Sequence, residues 1–317
     1  MHNLLRRGAS AFEAFAPGEG WPLPADTVWI DLKSPTREEE LAIERALGFD
    51  LPTRDEMAQL EPSSRFYQEA GVTFMTATLL ARRADQIPTG EPVTFVLARG
   101  VLVTIRYEDL RAFTIFTERA PHSALDSGPA VLLELLDAVV ERLAQILDQL
   151  DDQLEEASAA IFQRPEGGDF RPLLTTLARA QSIASLARSS LVSLGRLAGF
   201  AELAGDIARD PECRAHLDSI QNDAKSLTEH AGHQASHITF LLDAALGLIN
   251  IEQNGIIKIF SVMAVIFMPP TLVASIYGMN FHRMPELSWA FGYPMALGLM
   301  LLAALVPVVW FKKRGWF

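Results

Sequence analysis

Tyr277-Gly278-Met279-Asn280 closes one long apolar segment of the chain, and a second apolar segment opens at Phe291. Upstream of the tetrapeptide, Ile259 to Ile276 carries no ionisable side chain. At ~1.5 Å per helical residue those 18 residues reach roughly 27 Å, close to the thickness of a bilayer's hydrocarbon core. Downstream, Phe291 to Phe311 is likewise uncharged and runs directly into Lys312, Lys313 and Arg314. Lys258 precedes the first span and the basic cluster follows the second, so the positive-inside rule places both ends in the cytoplasm. The turn and the loop 281–290 then face outward.

The residues around this turn carry a family resemblance. Ile249-Asn250-Ile251-Glu252-Gln253-Asn254, Ile256-Ile257-Lys258-Ile259-Phe260-Ser261, Phe267-Met268-Pro269-Pro270-Thr271 and Tyr277-Gly278-Met279-Asn280-Phe281 precede the loop, with Met284-Pro285-Glu286-Leu287 and Phe291-Gly292-Tyr293-Pro294 after it. Together they resemble the CorA family of magnesium transporters, a two-span family with a Gly-x-Asn signature, and its enteric bacterial branch in particular. A Gly-Met-Asn tripeptide alone is weak evidence. Placed between two terminal spans and followed by Met-Pro-Glu-Leu, it is strong.

Composition agrees with a membrane-anchored cytosolic protein. The 317 residues are 49% hydrophobic and carry a net charge of -12. Residues 256–317 hold Lys258, Arg283, Lys312, Lys313 and Arg314 against Glu286, which is +4 and leaves -16 on the rest. An acidic body repels nucleic acid and attracts cations, while the basic membrane end suits anionic headgroups of the inner membrane. One cysteine, Cys213, excludes an internal disulfide framework. Arg6 and Arg7 have no apolar run behind them, so no signal peptide is expected at the start.

The expected fold is an α+β membrane protein. Residues 1–127 read as a cytosolic α/β domain, with strands over Val28–Leu32, Val72–Ala81, Val93–Leu97 and Val101–Arg106 and a hairpin turn at Arg99-Gly100. Ser34 before Pro35 reads as a helix N-cap, and Thr53 with Glu56 as a capping box. No phosphate loop, nucleophile elbow or Cys/His metal spacing is present in this domain, so an enzymatic role has little to rest on. Residues 128–209 form an antiparallel helical hairpin over Pro129–Phe162 and about 171–203, with an acidic run at Asp148, Asp151, Asp152, Glu155 and Glu156.

Residues 210–280 hold a stalk helix, Glu212 to about Tyr277, that continues as the first span. At 1.5 Å each it is nearly 100 Å long, more than a monomer can bury alone. The resemblance implies a homopentameric funnel with these helices around the axis. Residues 281–290 are then the periplasmic loop, and 291–317 the second span with its basic tail.

A gentle supercoil repeats its inner stripe every 3.5 residues. Counting from Asn254 gives Asn250 or Ile251, Gly247, Phe240, His237 and His233 toward the cytosol, and Ile257, Phe260 or Ser261, Ala264, Met268, Thr271, Ser275 and Gly278 toward the turn. Small residues on that stripe also suit close helix packing in lipid, which competes with pore lining. Magnesium releases its waters reluctantly, so a ring of neutral acceptors holds the hydrated ion at lower cost than a stripping site. Gly278, Met279 and Asn280 form that expected filter, through the Asn280 side-chain carbonyl and the Gly278 backbone carbonyl. Gly278 and Asn280 also suit a left-handed helix end. Ile257, Phe260 and Met268 are expected apolar constrictions, and Asn254 a polar ring at the cytosolic end.

Two features depart from the family pattern. His282 and Arg283 stand where relatives commonly carry an acidic residue, which leaves Glu286 as the attractor at the outer mouth. His230, His233 and His237 are spaced i, i+3, i+7 on the stalk, a pattern that suits zinc, nickel or cobalt better than magnesium. In the resembled family, gating involves divalent ions bound by acidic residues between neighbouring cytosolic domains; the resemblance does not fix those residues in this sequence, and Asp223, with Asp218 as the alternative, is the regulatory-ligand candidate by its place on the long helix. No resident cofactor is expected; Mg2+ is both substrate and regulatory ligand, with Co2+ or Ni2+ as alternatives. The readings left open are a magnesium channel of the bacterial inner membrane, a cobalt, nickel or zinc transporter of the same fold, and a membrane-anchored cation sensor that conducts nothing.

Overall fold

The computed structural model describes residues 2–9, 12–18, 20–59, 61–81, 88–120, 125–163, 169–279 and 284–315, with backbone alone for Pro62 and Leu287. They fall into two units: Met1–Arg164 with Arg171–Leu242, and Pro165–Phe170 with Asp243–Phe317.

The first unit is built on a seven-stranded sheet. Its strands are β1 (His2–Arg6), β2 (Glu13–Phe15), β3 (Thr27–Lys33), β4 (Phe66–Glu69), β5 (Val72–Ala81), β6 (Thr89–Ala98) and β7 (Val101–Arg106), in the order β2-β1-β3-β7-β6-β5-β4. β3 and β7 run parallel, with Trp29 beside Leu102 and Leu32 beside Ile105; the other neighbours are antiparallel. The four strands read from sequence are β3, β5, β6 and β7, and the hairpin at Arg99-Gly100 forms with both residues at positive φ (49° and 79°). β1, β2 and β4 were not foreseen. Ala70-Gly71, again both at positive φ, joins β4 to β5 in a tight turn.

Alternation along the strands splits the core into two layers. Trp29, Phe95 and Leu102 face one side, packed with Phe113, Leu132, Leu136, Leu191 and Leu194; Ile30, Val96 and Val103 face the other, packed with Ile43 and Leu47. Fully burying one such large apolar side chain contributes about 1.5–3 kcal/mol. The first layer is covered by α4 (Arg111–Arg119), α5 (Gly128–Phe162) and α6 (Arg171–Ala201), the second by α1 (Arg37–Leu47). Residues 1–127 and the helical hairpin therefore share one core. Inside it, Arg106 is held bidentately by Asp31 (Nε to Oδ1 3.1 Å, Nη2 to Oδ2 2.8 Å), and Trp29 donates to Thr104, which donates to the same carboxylate. Burial works against the Arg106 charge, but the Asp31 carboxylate outweighs it and raises the guanidinium pKa.

Ser34 is not an N-cap. It sits at φ 47° with its hydroxyl donating to the Tyr107 carbonyl, and α1 begins after Thr36, which makes a capping box with Glu39. The second box, Thr53 with Glu56, starts the short α2 (Arg54–Met57) as read from sequence. α3 (Pro62–Arg65) and α7 (Gly205–Ala208) are single turns. α5 is capped by Ser127, whose hydroxyl accepts from the Ala130 N–H.

α8 runs without a break from Pro211 to Tyr277, with Pro269 and Pro270 inside it. Each proline removes one backbone donor, and the Thr271 hydroxyl donates to the Phe267 carbonyl in that turn. A 3-10 turn (Pro285–Ser288) and α9 (Gly292–Lys313) complete the chain. α8 and α9 are both long and apolar enough to cross a membrane.

Candidate functional site

The membrane half of α8 has two unlike faces. Val262 is buried, and Ile266, Pro269, Pro270, Val273 and Tyr277 are half-buried. At about 100° per residue these positions share one side of the helix. α9 carries a matching stripe, with Gly292, Ala296 and Phe311 buried and Met300, Ala303, Ala304, Pro307 and Val308 half-buried. These are the sides of α8 and α9 that are least open to solvent in the single chain.

Ile257, Phe260, Ser261, Ala264, Met268, Thr271, Ser275 and Gly278 occupy the opposite side of α8, and all are exposed. So is Asn254. The stripe read from sequence as the inner one is thus exposed in the single chain, as are Ile259, Met263, Val265, Phe267 and Leu272 beside it. Its residues are small or mildly polar, apart from the large apolar Ile257, Phe260 and Met268. It offers water-tolerant rings interrupted by hydrophobic ones.

At the end of α8 the Gly278 N–H donates to the Ala274 carbonyl (2.9 Å) and the Met279 N–H to Ile276 (3.3 Å). Gly278 is not left-handed, contrary to the helix-end expectation, because it continues the helical hydrogen bonding. Glycine is still favoured on space: a Cβ would come 3.1 Å from the Ala274 oxygen. Met279 is exposed, whereas Asn280, His282 and Arg283 lie outside the described residues. Glu286 is exposed on the 3-10 turn that follows.

In the first unit, His230 is drawn to α5, where its Nε2 lies 2.8 Å from Asp151 Oδ2. Gln234 beside it donates to the Leu147 carbonyl. His233 and His237 are exposed, His237 stacking on Phe240 at 6.4 Å. A second pair, His216 with Asp137, repeats the first two heptads earlier on both helices and was missed in the sequence. Its signal was there: aspartates 14 apart on α5 and histidines 14 apart on α8. Asp218 and Asp223 are exposed, and Asp223 lines a groove with Asp137 and Glu141, whose carboxyl is held below the usual range by the hydrogen bond from Arg119. Among the described residues of the single chain, no group of three or more His, Cys, Asp or Glu side chains is placed to hold a metal ion. Asp218, Asp223 and the three histidines are therefore not brought together within one subunit.

Comparison with known proteins places this geometry. Residues 24–313 match the family model described as CorA-like Mg2+ transporter protein. The magnesium transport protein CorA of Escherichia coli K12 is 37% identical over 304 residues, 94% of each chain. That of Salmonella typhimurium LT2 is 37% identical over 297 residues, 92% of each. Among solved structures, the complete CorA magnesium transporter of Methanocaldococcus jannaschii superimposes with a TM-score of 0.77 at 20% identity, over 100% of this chain and 99% of that one, a likeness of fold. With two membrane-length apolar helices, an uncharged exposed stripe on the first of them leading to the Gly-Met-Asn turn, and relatives matched along nearly their whole length, this chain belongs to the CorA-like Mg2+ transporter family, a family of transporters and not of enzymes.

Proposed function

We propose that this protein is a homopentameric channel of the bacterial inner membrane, with both termini cytoplasmic, that admits magnesium down its electrochemical gradient. The observation that carries the reading is the sidedness of α8: Val262, Ile266 and Val273 are turned away from solvent, while the uncharged stripe from Asn254 to Gly278 stays exposed, free to line an axis shared by neighbouring copies. A divalent ion gains roughly 4.6 kcal/mol from a 100 mV inside-negative potential, enough to drive uptake without a nucleotide. Asn280, with the backbone of Gly278 and Met279, holds the hydrated ion through neutral acceptors. Ile257, Phe260 and Met268 are constrictions that close by dewetting, and Glu286 concentrates cations at the outer mouth. Asp223, with Asp218 as the alternative, takes magnesium between subunits on the cytosolic side and favours the closed state through differential affinity.

The test is magnesium uptake into proteoliposomes, with and without an imposed inside-negative potential, for wild type and Asn280→Ala. Potential-driven uptake that is lost in the variant supports channel and filter together. A well-assembled pentamer that passes no magnesium overturns the reading; flux of cobalt, nickel or zinc in the same vesicles points instead to a transition-metal cargo, and no flux of any of them to a sensor.

A further inference from the structure

Gly292 is buried at the start of α9, while residues 288–291 and 293–295 around it are exposed. Its N–H donates to the Trp289 carbonyl (2.9 Å), and the Trp289 N–H donates to the Glu286 carbonyl (3.3 Å). Two successive short-range bonds therefore fold the 3-10 turn back onto the first turn of the helix. A Cβ at position 292 would overlap the Glu286 carbonyl oxygen and lie 3.2 Å from its carbonyl carbon. Both atoms are backbone, so no rotamer change relieves the overlap; the turn or the helix start has to move. Backbone angle is not the reason for glycine here, because Gly292 is not at positive φ. Space is. The turn itself is stiff, with Pro285 at its first position and the Ser288 hydroxyl donating to the Pro285 carbonyl (2.8 Å), so a shift at the Glu286 carbonyl carries the Glu286 side chain with it.

We infer that Gly292 is a positioning residue for cation capture: by leaving room for the Glu286 carbonyl it seats the turn that presents the Glu286 carboxylate at the outer mouth, without itself meeting the ion. The inference rests on the role proposed above for Glu286. Its signature is electrostatic. A misplaced carboxylate weakens capture at low magnesium and leaves the pore, and hence the maximal flux, alone.

The experiment measures initial magnesium uptake against magnesium concentration in proteoliposomes at low and at physiological ionic strength, for wild type, Gly292→Ala, Glu286→Gln and the double variant. Gly292→Ala is expected to raise KM about three- to tenfold at low salt with maximal flux within about twofold of wild type. The double variant should match Glu286→Gln, because a displaced carboxylate that has been neutralised has nothing further to lose. Added salt should bring wild type and Gly292→Ala together, since screening removes what positioning supplies. A wild-type KM in Gly292→Ala, or a KM rise that is additive with Glu286→Gln and indifferent to salt, overturns the inference. A wild-type KM in Glu286→Gln overturns the attractor role and the inference with it, whereas an effect in Glu286→Gln alone overturns only the positioning role. Should Gly292→Ala fail to assemble, Pro285→Gly loosens the same turn without adding an atom near position 292; a salt-sensitive rise in KM is expected there too, and a wild-type KM overturns the inference.

Discussion

Phe260 and Val262 stand two residues apart on α8 and face opposite ways: Phe260 is 68% exposed and Val262 7%. Two residues are about 200° of helix, so a side chain on the packed stripe guarantees its second neighbour a place on the open one. If the open face lines a water-filled path, Phe260→Cys reacts with a small cationic thiol reagent added from the cytosolic side, and Val262→Cys does not. The background is favourable, because burial and the neighbouring Asp210 push the native Cys213 thiol up to about 11, and Cys213→Ser removes it altogether. Equal labelling of the two positions would refute the assignment of faces.

Gly128 makes a steric prediction independent of transport. It starts α5, donates to the Gly100 carbonyl at 2.6 Å, and an added Cβ would lie 2.6 Å from the Leu102 nitrogen and the Val101 carbonyl carbon. All of these are backbone of the β6–β7 turn and β7. Gly128→Ala is expected to destabilise the cytosolic unit by about 1–3 kcal/mol through overpacking, read as a lower midpoint in chemical unfolding. Unchanged stability would mean that the helix start has slack that the structure does not show.

The Asp31–Arg106 pair lies where the parallel strands β3 and β7 meet, with both side chains nearly excluded from water. Asp31→Asn leaves the buried Arg106 guanidinium charged with only the exposed Asp109 carboxylate, 3.5 Å away, and should cost about 3–5 kcal/mol. Adding Arg106→Met should recover part of that loss, since removing both partners also removes the uncompensated charge. Thermal or denaturant unfolding of the two variants decides it; a double variant no better than the single would show that the network stabilises through its geometry alone.

How far the chain could be read in advance follows the range of the interactions concerned. The two spans were legible because their signal is summed over 18 or more consecutive residues, and the Thr53 capping box because all its atoms lie within four residues. Ser34 was misread for the opposite reason: its hydroxyl is taken by Tyr107, 73 residues away. β1 was missed because Leu4 and Leu5, adjacent and both buried, show no alternation in so short a strand. The stripe on α8 was read from a 3.5-residue period, and the period alone could not show that these positions stay exposed while Val262, Ile266 and Val273 are covered. Gly292 carries no local signal at all. Its constraint is a carbonyl six residues back in a turn that sequence patterning does not describe.

Met268 is the large apolar residue furthest along the open stripe, one turn before the polar Thr271 and 68% exposed in the single chain. In a symmetric assembly its side chains would converge on the axis, and a narrow apolar ring excludes water without any blocking group. Met268→Ser replaces that ring by one that holds water. Where high cytosolic magnesium closes the channel as proposed, the expected result is higher magnesium flux under that condition, with stability changed little because the side chain is mostly exposed in the single chain. Met268→Leu, apolar and of similar volume, should close as wild type does. Flux in Met268→Ser that stays as low as wild type at high cytosolic magnesium would remove Met268 from the constriction and leave closure to Ile257 and Phe260 nearer the cytosol.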